Sequence, residues 1–522
     1  METSNARRMR RQRLKPLASC LALAFTIGTG NVLASDARAV DTTLDVPLAA
    51  RFATGISRGD APRWQPSPGA IDRIHKPLPH EPPQFPDATI VVQNCDDDGP
   101  GSLRDIIDNV AVTGDTLDLS QLTCSTITLT SGAIFIVQDD LTLTGADASN
   151  MVIDGGGAYS LRHTGTGTFE VNNISMVDGA KYLDASYNID AQGGCIYSTG
   201  FVSLNNSYLK YCHAATANTT YRGAGGAVYA AGGVTLSNSE ILLSDAGTDT
   251  LFGVSGGVHS GGQVILVDST VALNSATLAG GVGAVGGTIA KYSSISNNYA
   301  SGAGGGLYSL GNTIIQNSTI EGNGAGTFGG GAVLFGYASN TVPITLAHST
   351  VSGNTAVNVG GVFVMGYPAQ IANSTIAFNE ETGAAKYGAG IYAGSDTTFE
   401  STIVAPNSLI TGSGPAPDDI GGGTTVVLSG HDNLTTFVAT GQVMPADTIL
   451  GNPYLASIGN NGGTTRTHML LPNSPAIEAG NNEAGAAADQ RGTGFPREIG
   501  VRADIGAIEL NIDDVIFFNG FD

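Results

Sequence analysis

The 522-residue chain is predicted to fold as an all-β parallel solenoid, and three observations carry that expectation. Glycine supplies 73 residues, about 14% of the chain and twice the usual share. Charged residues are only 13% while apolar residues reach 41%, which excludes a disordered polyelectrolyte. From Gly193 onward the chain repeats at 24 to 32 residues with short β-branched runs and no helical period, as expected of coils in which each strand pairs with its copy one turn later.

The N-terminus reads as an export signal. Residues 7–15 are basic, Leu17 to Ile27 are apolar, and Val32-Leu33-Ala34 is a small-residue cleavage pattern, so residues 1–34 are expected to be a cleaved signal peptide. Residues 35–87 carry Pro62, Pro66, Pro68, Pro77, Pro79, Pro82, Pro83 and Pro86 without an apolar period and read as a disordered linker. Order is expected from Ala88. Asn94 to Gly101 is a turn whose three aspartates, Asp96 to Asp98, read as turn residues rather than a calcium loop. Ser102-Leu103-Arg104-Asp105 then opens a short capping helix that ends near Val110.

The solenoid is assigned to 88–430. One repeat string is Gly-Gly followed by apolar and aromatic residues, as in Gly225-Gly226-Ala227-Val228-Tyr229 and Gly305-Gly306-Leu307-Tyr308. The other is Ser-Thr-Ile/Val, two residues, then Asn, as in Ser318 to Asn323, Ser349 to Asn354 and Ser374 to Asn379. Serines 207, 239, 269, 293, 318, 349, 374 and 401 fall at intervals of 32, 30, 24, 25, 31, 25 and 27. Alternation in Val234-Thr235-Leu236 and Ile344-Thr345-Leu346 turns one face inward, and glycine is expected to supply left-handed or close-packed corners. Stacking puts Asn274, Asn298, Asn323, Asn354 and Asn379 in register, so that each amide can bond the next; Cys212 falls at the same position. At roughly 27 residues per turn, 88–430 gives about a dozen coils. Open solenoid ends need covers, here the helix and a C-terminal cap after 430.

Charge and cysteine usage bound the partners and the compartment. Lys and Arg total 23 against 45 Asp and Glu; without Arg7, Arg8, Arg10, Arg11, Arg13, Lys15 and Glu2, 17 cations and 44 acids leave a net charge of −27. No basic cluster remains, which argues against a nucleic-acid partner. No stretch after the signal is long and apolar enough for a transmembrane span. Cys95, Cys124, Cys195 and Cys212 form an even set in an oxidising compartment. Three pairings are open; Cys95 with Cys124 and Cys195 with Cys212 closes the shortest loops and is favoured.

At this point the chain resembles a known group. Its Gly-Gly-Ala-Val and Ser-Thr-Ile-x-x-Asn strings look like those of bacterial exported right-handed parallel β-helix proteins and are similar to the repeats of polymorphic outer-membrane proteins. Leu470 to Gly480, Asp489-Gln490-Arg491-Gly492 and Asp504-Ile505-Gly506-Ala507-Ile508-Glu509 resemble a choice-of-anchor Q domain, assigned to 431–510, with a tail at 511–522. The resemblance implies a right-handed coil and a secreted or cell-surface location.

No catalytic, cofactor-binding or metal-ligating residue is assigned. Adjacent acids at Asp139-Asp140, Asp418-Asp419 and Asp513-Asp514 read as solvated turn or terminal residues, and His431 as a loop histidine. Lys291 and Lys386 are the only cations between Gly223 and Gly394, too few for a groove that cleaves uronate polymers; inserts at 181–192 and 216–224 stay open as places for a site. The expected function is an adhesin-like scaffold without catalysis that contacts a glycan or another cell-surface ligand through a Ser/Thr/Asn-rich face. A polysaccharide lyase or glycoside hydrolase with an unrecognised site is the alternative, and a structural spacer the third reading.

Overall fold

A computed structural model describes residues 88–511 apart from 184, 185, 188, 248–251 and 338–341. The expected signal peptide, the linker, and the tail after Asn511 with Asp513-Asp514 lie outside the described residues. Within them the chain is nearly all-β, with one helix and 50 short strands in a parallel solenoid of about 12 turns.

One coil shows how the repeat is built. Phe201–Asn205 lies in a first sheet, Tyr208–Lys210 in a second, His213–Thr216 in a fourth, and Val228–Ala230 in a third, from which the chain enters Gly233–Ser237 beside Phe201–Asn205. The first and second sheets have 13 strands each, the third 11 and the fourth 10 among the described residues. Alternation decides which side chains face inward. Leu117, Leu143, Val171, Leu204, Leu236 and Leu266 are successive register partners in the first sheet and are fully buried. Ile241, Val271, Ile295, Ile320, Val351 and Ile376 form the matching column of the second sheet. Each such side chain contributes about 1.5–3 kcal/mol, and a period-2 strand places one per rung whatever the coil length.

The corners differ from expectation in one respect. Between the first and second sheets the left-handed residue is not glycine but mostly Asn or Asp, as at Asn206 (φ 49°), Asn238 (48°), Asp268 (47°), Asn317 (50°) and Asn373 (45°), with Tyr292 (51°) and His348 (46°) on other coils. Asn and Asp tolerate this conformation because their short side chains bond locally. The Gly-Gly strings supply both expected kinds of corner: Gly193 (φ 67°) and Gly225 (64°) are left-handed, and a Cβ on Gly305 would lie 2.4 Å from the carbonyl oxygens of both Gly324 and Gly330. The last serine interval is also corrected. Thr375 pairs with Ile403, so Thr402 rather than Ser401 continues the serine column, and Ser401 occupies the left-handed position at φ 46°.

The helix, Leu103–Asn109, is capped by Ser102, whose hydroxyl accepts from Asp105 N at 3.2 Å. Leu103, Ile106 and Ile107 join the solenoid core, and Gln138 Nε2 donates to the carbonyls of Ile107 and Ala111. Asp97 does more than turn the chain. Its carboxylate accepts from Arg104 at 2.7 Å and from Thr130 N at 2.9 Å, tying the entry turn to a later coil. Burial pushes the Asp97 carboxyl up, but Arg104, Thr130 and Ser131 outweigh it and hold it well below the usual carboxylate range.

Strand Leu428–His431 crosses the expected boundary at 430, and Leu434–Thr435 and Ile449–Leu450 extend the second sheet further. The chain then lies along the outer face of that sheet, where the sequence reading expected a cover over the open end. Thr319 donates to Arg466 O at 2.6 Å, Thr350 to Gln490 Oε1 at 2.6 Å, and Ala507 N to Thr375 Oγ1 at 3.1 Å. Arg466 pairs with Glu321 at 2.9 Å. The Asp489-Gln490-Arg491 and Asp504 to Glu509 strings meet there, since Asp489 Oδ2 accepts from Arg491 at 2.7 Å and from Glu509 N at 2.8 Å. Outward hydroxyls on adjacent rungs supply the donors and acceptors that a segment without strands of its own requires.

Candidate functional site

The asparagines occupy one buried column. Asn274 Nδ2 donates to Asn298 Oδ1 at 3.0 Å, Asn298 to Asn323 at 3.0 Å, Asn323 to Asn354 at 3.0 Å, and Asn354 to Asn379 at 2.9 Å. Each Oδ1 also accepts the backbone N–H of the preceding asparagine, as Asn323 Oδ1 does from Asn298 N at 2.9 Å. The column begins with Cys212 N donating to Ser244 Oγ and Ser244 N to Asn274 Oδ1. It continues to Asn407, which the sequence reading missed, and ends at Asp419, whose Oδ1 accepts from Asn407 Nδ2 at 3.0 Å. Cys95 with Cys124 and Cys195 with Cys212 stand at disulfide distance.

Asp418 and Asp419 are therefore not solvated turn residues: both are fully buried. Asp419 stands where an asparagine would, its second oxygen accepting from Thr436 N and Phe437 N at 2.9 Å each. Asp418 shares a hydrogen bond with Glu381, itself fully buried, and burial followed by Asp418's charge raises the Glu381 carboxyl. Two carboxyls sharing one proton are a familiar acid–base pair, but these have no exposed surface for a substrate to reach. Asp139 is exposed, with Oδ1 accepting from Thr166 N at 2.8 Å. In the inserts, Asp190 and Arg222 join successive coils at 3.3 Å.

The Ser/Thr/Asn-rich face folds inward. Serines 207, 239, 269, 293, 318, 349 and 374 are at most 3% exposed, and each from 207 to 349 receives its N–H partner from the next serine's hydroxyl. Outside the third sheet, Arg162 lies 4.3 Å from the Tyr197 ring centre, and Tyr197, Tyr229 and His259 stack at 5.6 and 5.2 Å. Those ring faces are taken by one another.

Solvent meets a different row. At the corner between the second and fourth sheets, Tyr211 (φ 58°), Leu243 (52°) and Leu273 (60°) are left-handed on three successive coils and 55, 41 and 51% exposed. The same corner is taken later by Asn297, Gly322 and Gly353, and then again by a bulky residue, Phe378 (57°). A bulky residue in that conformation costs roughly 1–2 kcal/mol more than glycine, and these gain little burial in return. Beside them in the fourth sheet run His213, Asp245, Ser275, Tyr299 and Gly324 in register, with His213 Nδ1 2.7 Å from Asp245 Oδ2. The Tyr299 ring lies across Gly324, whose Cβ would meet it at 3.2 Å, and stays 53% exposed.

His431 is the last residue of a strand rather than a loop residue. Glu400 is its register partner, and Nε2 lies 3.1 Å from Glu400 Oε2 and 3.3 Å from Glu483 Oε1. Burial works to lower the His431 ring, but Asp432, Glu400 and Glu483 outweigh it and raise it. Sequence reading missed this cluster because its members are 31 and 52 residues apart. Among the described residues no helix is long and apolar enough to cross a membrane. No family model, curated protein or solved structure matches the chain.

Proposed function

We propose that the chain is a secreted or cell-surface binding scaffold without catalysis, and that the corner row Tyr211, Leu243, Leu273 with Tyr299 contacts a neutral glycan. The observation that carries the reading is bulky apolar residues held left-handed and exposed on three successive rungs of one corner. Backbone strain of this kind gathers at functional surfaces. Tyr299 offers one ring face to the C–H side of a sugar, and His213, Asp245 and Ser275 offer polar partners for hydroxyls. A net charge of −22 disfavours an anionic polymer. Two cysteine pairs at disulfide distance support an oxidising compartment. The resemblance of the C-terminal strings to a choice-of-anchor Q domain supports display at the surface.

The test is incubation of the purified chain with neutral and uronate polysaccharides, reading retention together with new reducing ends and unsaturated products. Binding of a neutral glycan without turnover is expected. Depolymerisation would establish the enzyme alternative, and neither binding nor turnover the spacer.

A further inference from the structure

We propose that Glu400, His431 and Glu483 form a site for a divalent transition-metal ion, Zn2+ in the first instance, that clips the last coils of the solenoid to the C-terminal segment. Glu400 and His431 sit side by side on adjacent strands of the first sheet, and Glu483 arrives from the C-terminal segment. Their three ligand atoms lie within 4.8 Å of one another. Zn–N and Zn–O bonds of about 2.0–2.2 Å put two ligands of a tetrahedral ion about 3.3 Å apart. The distances from His431 Nε2 are 3.1 Å to Glu400 and 3.3 Å to Glu483.

Two further observations point to a cation there. Nε2 stands at ion-pair distance from both carboxylates without a hydrogen bond to either, and the buried Glu400 Oε2 has no hydrogen-bond donor. The other ring nitrogen is anchored, Nδ1 lying 3.1 Å from Asp432 Oδ2 and 3.2 Å from Asn481 Nδ2, contacts that hold the ring with Nε2 toward the two glutamates. Asp432 is in turn fixed by Arg502 at 2.8 Å and Asn481 at 3.0 Å. A second grouping, His431 with Asp432 and Asp447, would need the ring nitrogen already used, and Asp447 Oδ2 accepts from Asp432 N at 3.0 Å. One imidazole with two carboxylates suits Zn2+ and its neighbours better than Ca2+ or Mg2+, which take oxygen cages. The fourth position is left for water.

The test is equilibrium dialysis of the full chain, free of any oligohistidine tag, against Zn2+ alone and against Ca2+ alone, with E483Q and H431Q as variants. Glu483 is 70% exposed, so E483Q keeps the fold, which far-UV circular dichroism checks. The expected result is one tightly held Zn2+ in the wild type, at least tenfold weaker binding in both variants, and a Co2+ visible spectrum that H431Q abolishes. Equal Zn2+ binding by wild type and variants, no Zn2+ retained by the wild type, or Ca2+ held as tightly as Zn2+ would each overturn the assignment.

Discussion

The asparagine column allows a quantitative prediction at Asn323, which lies at its middle and is 1% exposed. Its Oδ1 accepts from Asn298 N at 2.9 Å and Asn298 Nδ2 at 3.0 Å; its Nδ2 donates to Ile295 O at 2.9 Å and Asn354 Oδ1 at 3.0 Å. Asn323→Ala removes all four bonds. Asn354 Oδ1 keeps the Asn323 backbone N–H, and Asn298 Nδ2 keeps Val271 O, so those two lose only part of their satisfaction. Asn298 N–H loses its acceptor outright. A buried group left unpaired costs about 1–3 kcal/mol, and one such group plus the partial losses comes to about 3–5 kcal/mol. Urea unfolding followed by far-UV circular dichroism measures the loss, with Thr355→Ala, a partly exposed position, as the reference at about 0.5 kcal/mol or less. Should Asn323→Ala fall within about 1 kcal/mol of that reference, the column does not hold the corners and this reasoning fails.

The buried acids and histidines set opposite pH limits. Glu381 is raised by burial and then by Asp418, so the native state holds a proton that the unfolded chain releases, and stability is present below the ordinary carboxylate range and lost as pH rises toward about 8. Glu381→Gln should flatten the decline between pH 6.5 and 8 in a series of thermal melts; an unchanged slope would remove the carboxyl pair as its cause. His259 and His348 are pushed down to about 3 and His468 to about 4, all first by burial, so their contribution is full above about 6.5 and is lost as pH falls through that range. His468→Gln should lessen the acid-side decline, its ring standing 2.8 Å from Ser352 Oγ across the docked C-terminal segment; a steeper decline would contradict this. Replacing Cys195 and Cys212 by serine opens a loop of 17 residues and should cost about 3 kcal/mol, read as a fall in melting temperature that a reductant reproduces in the wild type.

The coil was legible because a parallel solenoid writes each rung into the sequence. Inward columns such as Ile295, Ile320, Val351 and Ile376 recur beside the same Ser and Asn, and the corner geometry repeats with them. Register failed at one rung, where Ser401-Thr402-Ile403 imitates the repeat string one residue early; the extra residue before Asn407 hid both the shift and the last asparagine of the column. Asp418-Asp419 was misread because turn preference is local, whereas the hydrogen bonds that bury Asp419 come from Asn407 and Thr436 on neighbouring segments. The course of the C-terminal segment left no periodic trace. Its contacts span 132 residues between Ala507 and Thr375 and 140 between Gln490 and Thr350, and depend on outward hydroxyls that strand patterning treats as solvated. The exposed corner row escaped for a related reason: sequence shows that Tyr211, Leu243 and Leu273 are apolar, but their left-handed backbone appears only in three dimensions.

The most direct test of the functional account is a titration of the purified chain with the neutral glycan it retains, comparing wild type, Tyr299→Ala and Tyr197→Ala. The account predicts that Tyr299→Ala, which removes the ring lying open across Gly324, weakens binding about tenfold or more, while Tyr197→Ala, whose face is covered by Arg162 and Tyr229, leaves it within about twofold. Equal affinity in wild type and Tyr299→Ala, or the release of sugar fragments during the titration, would contradict it.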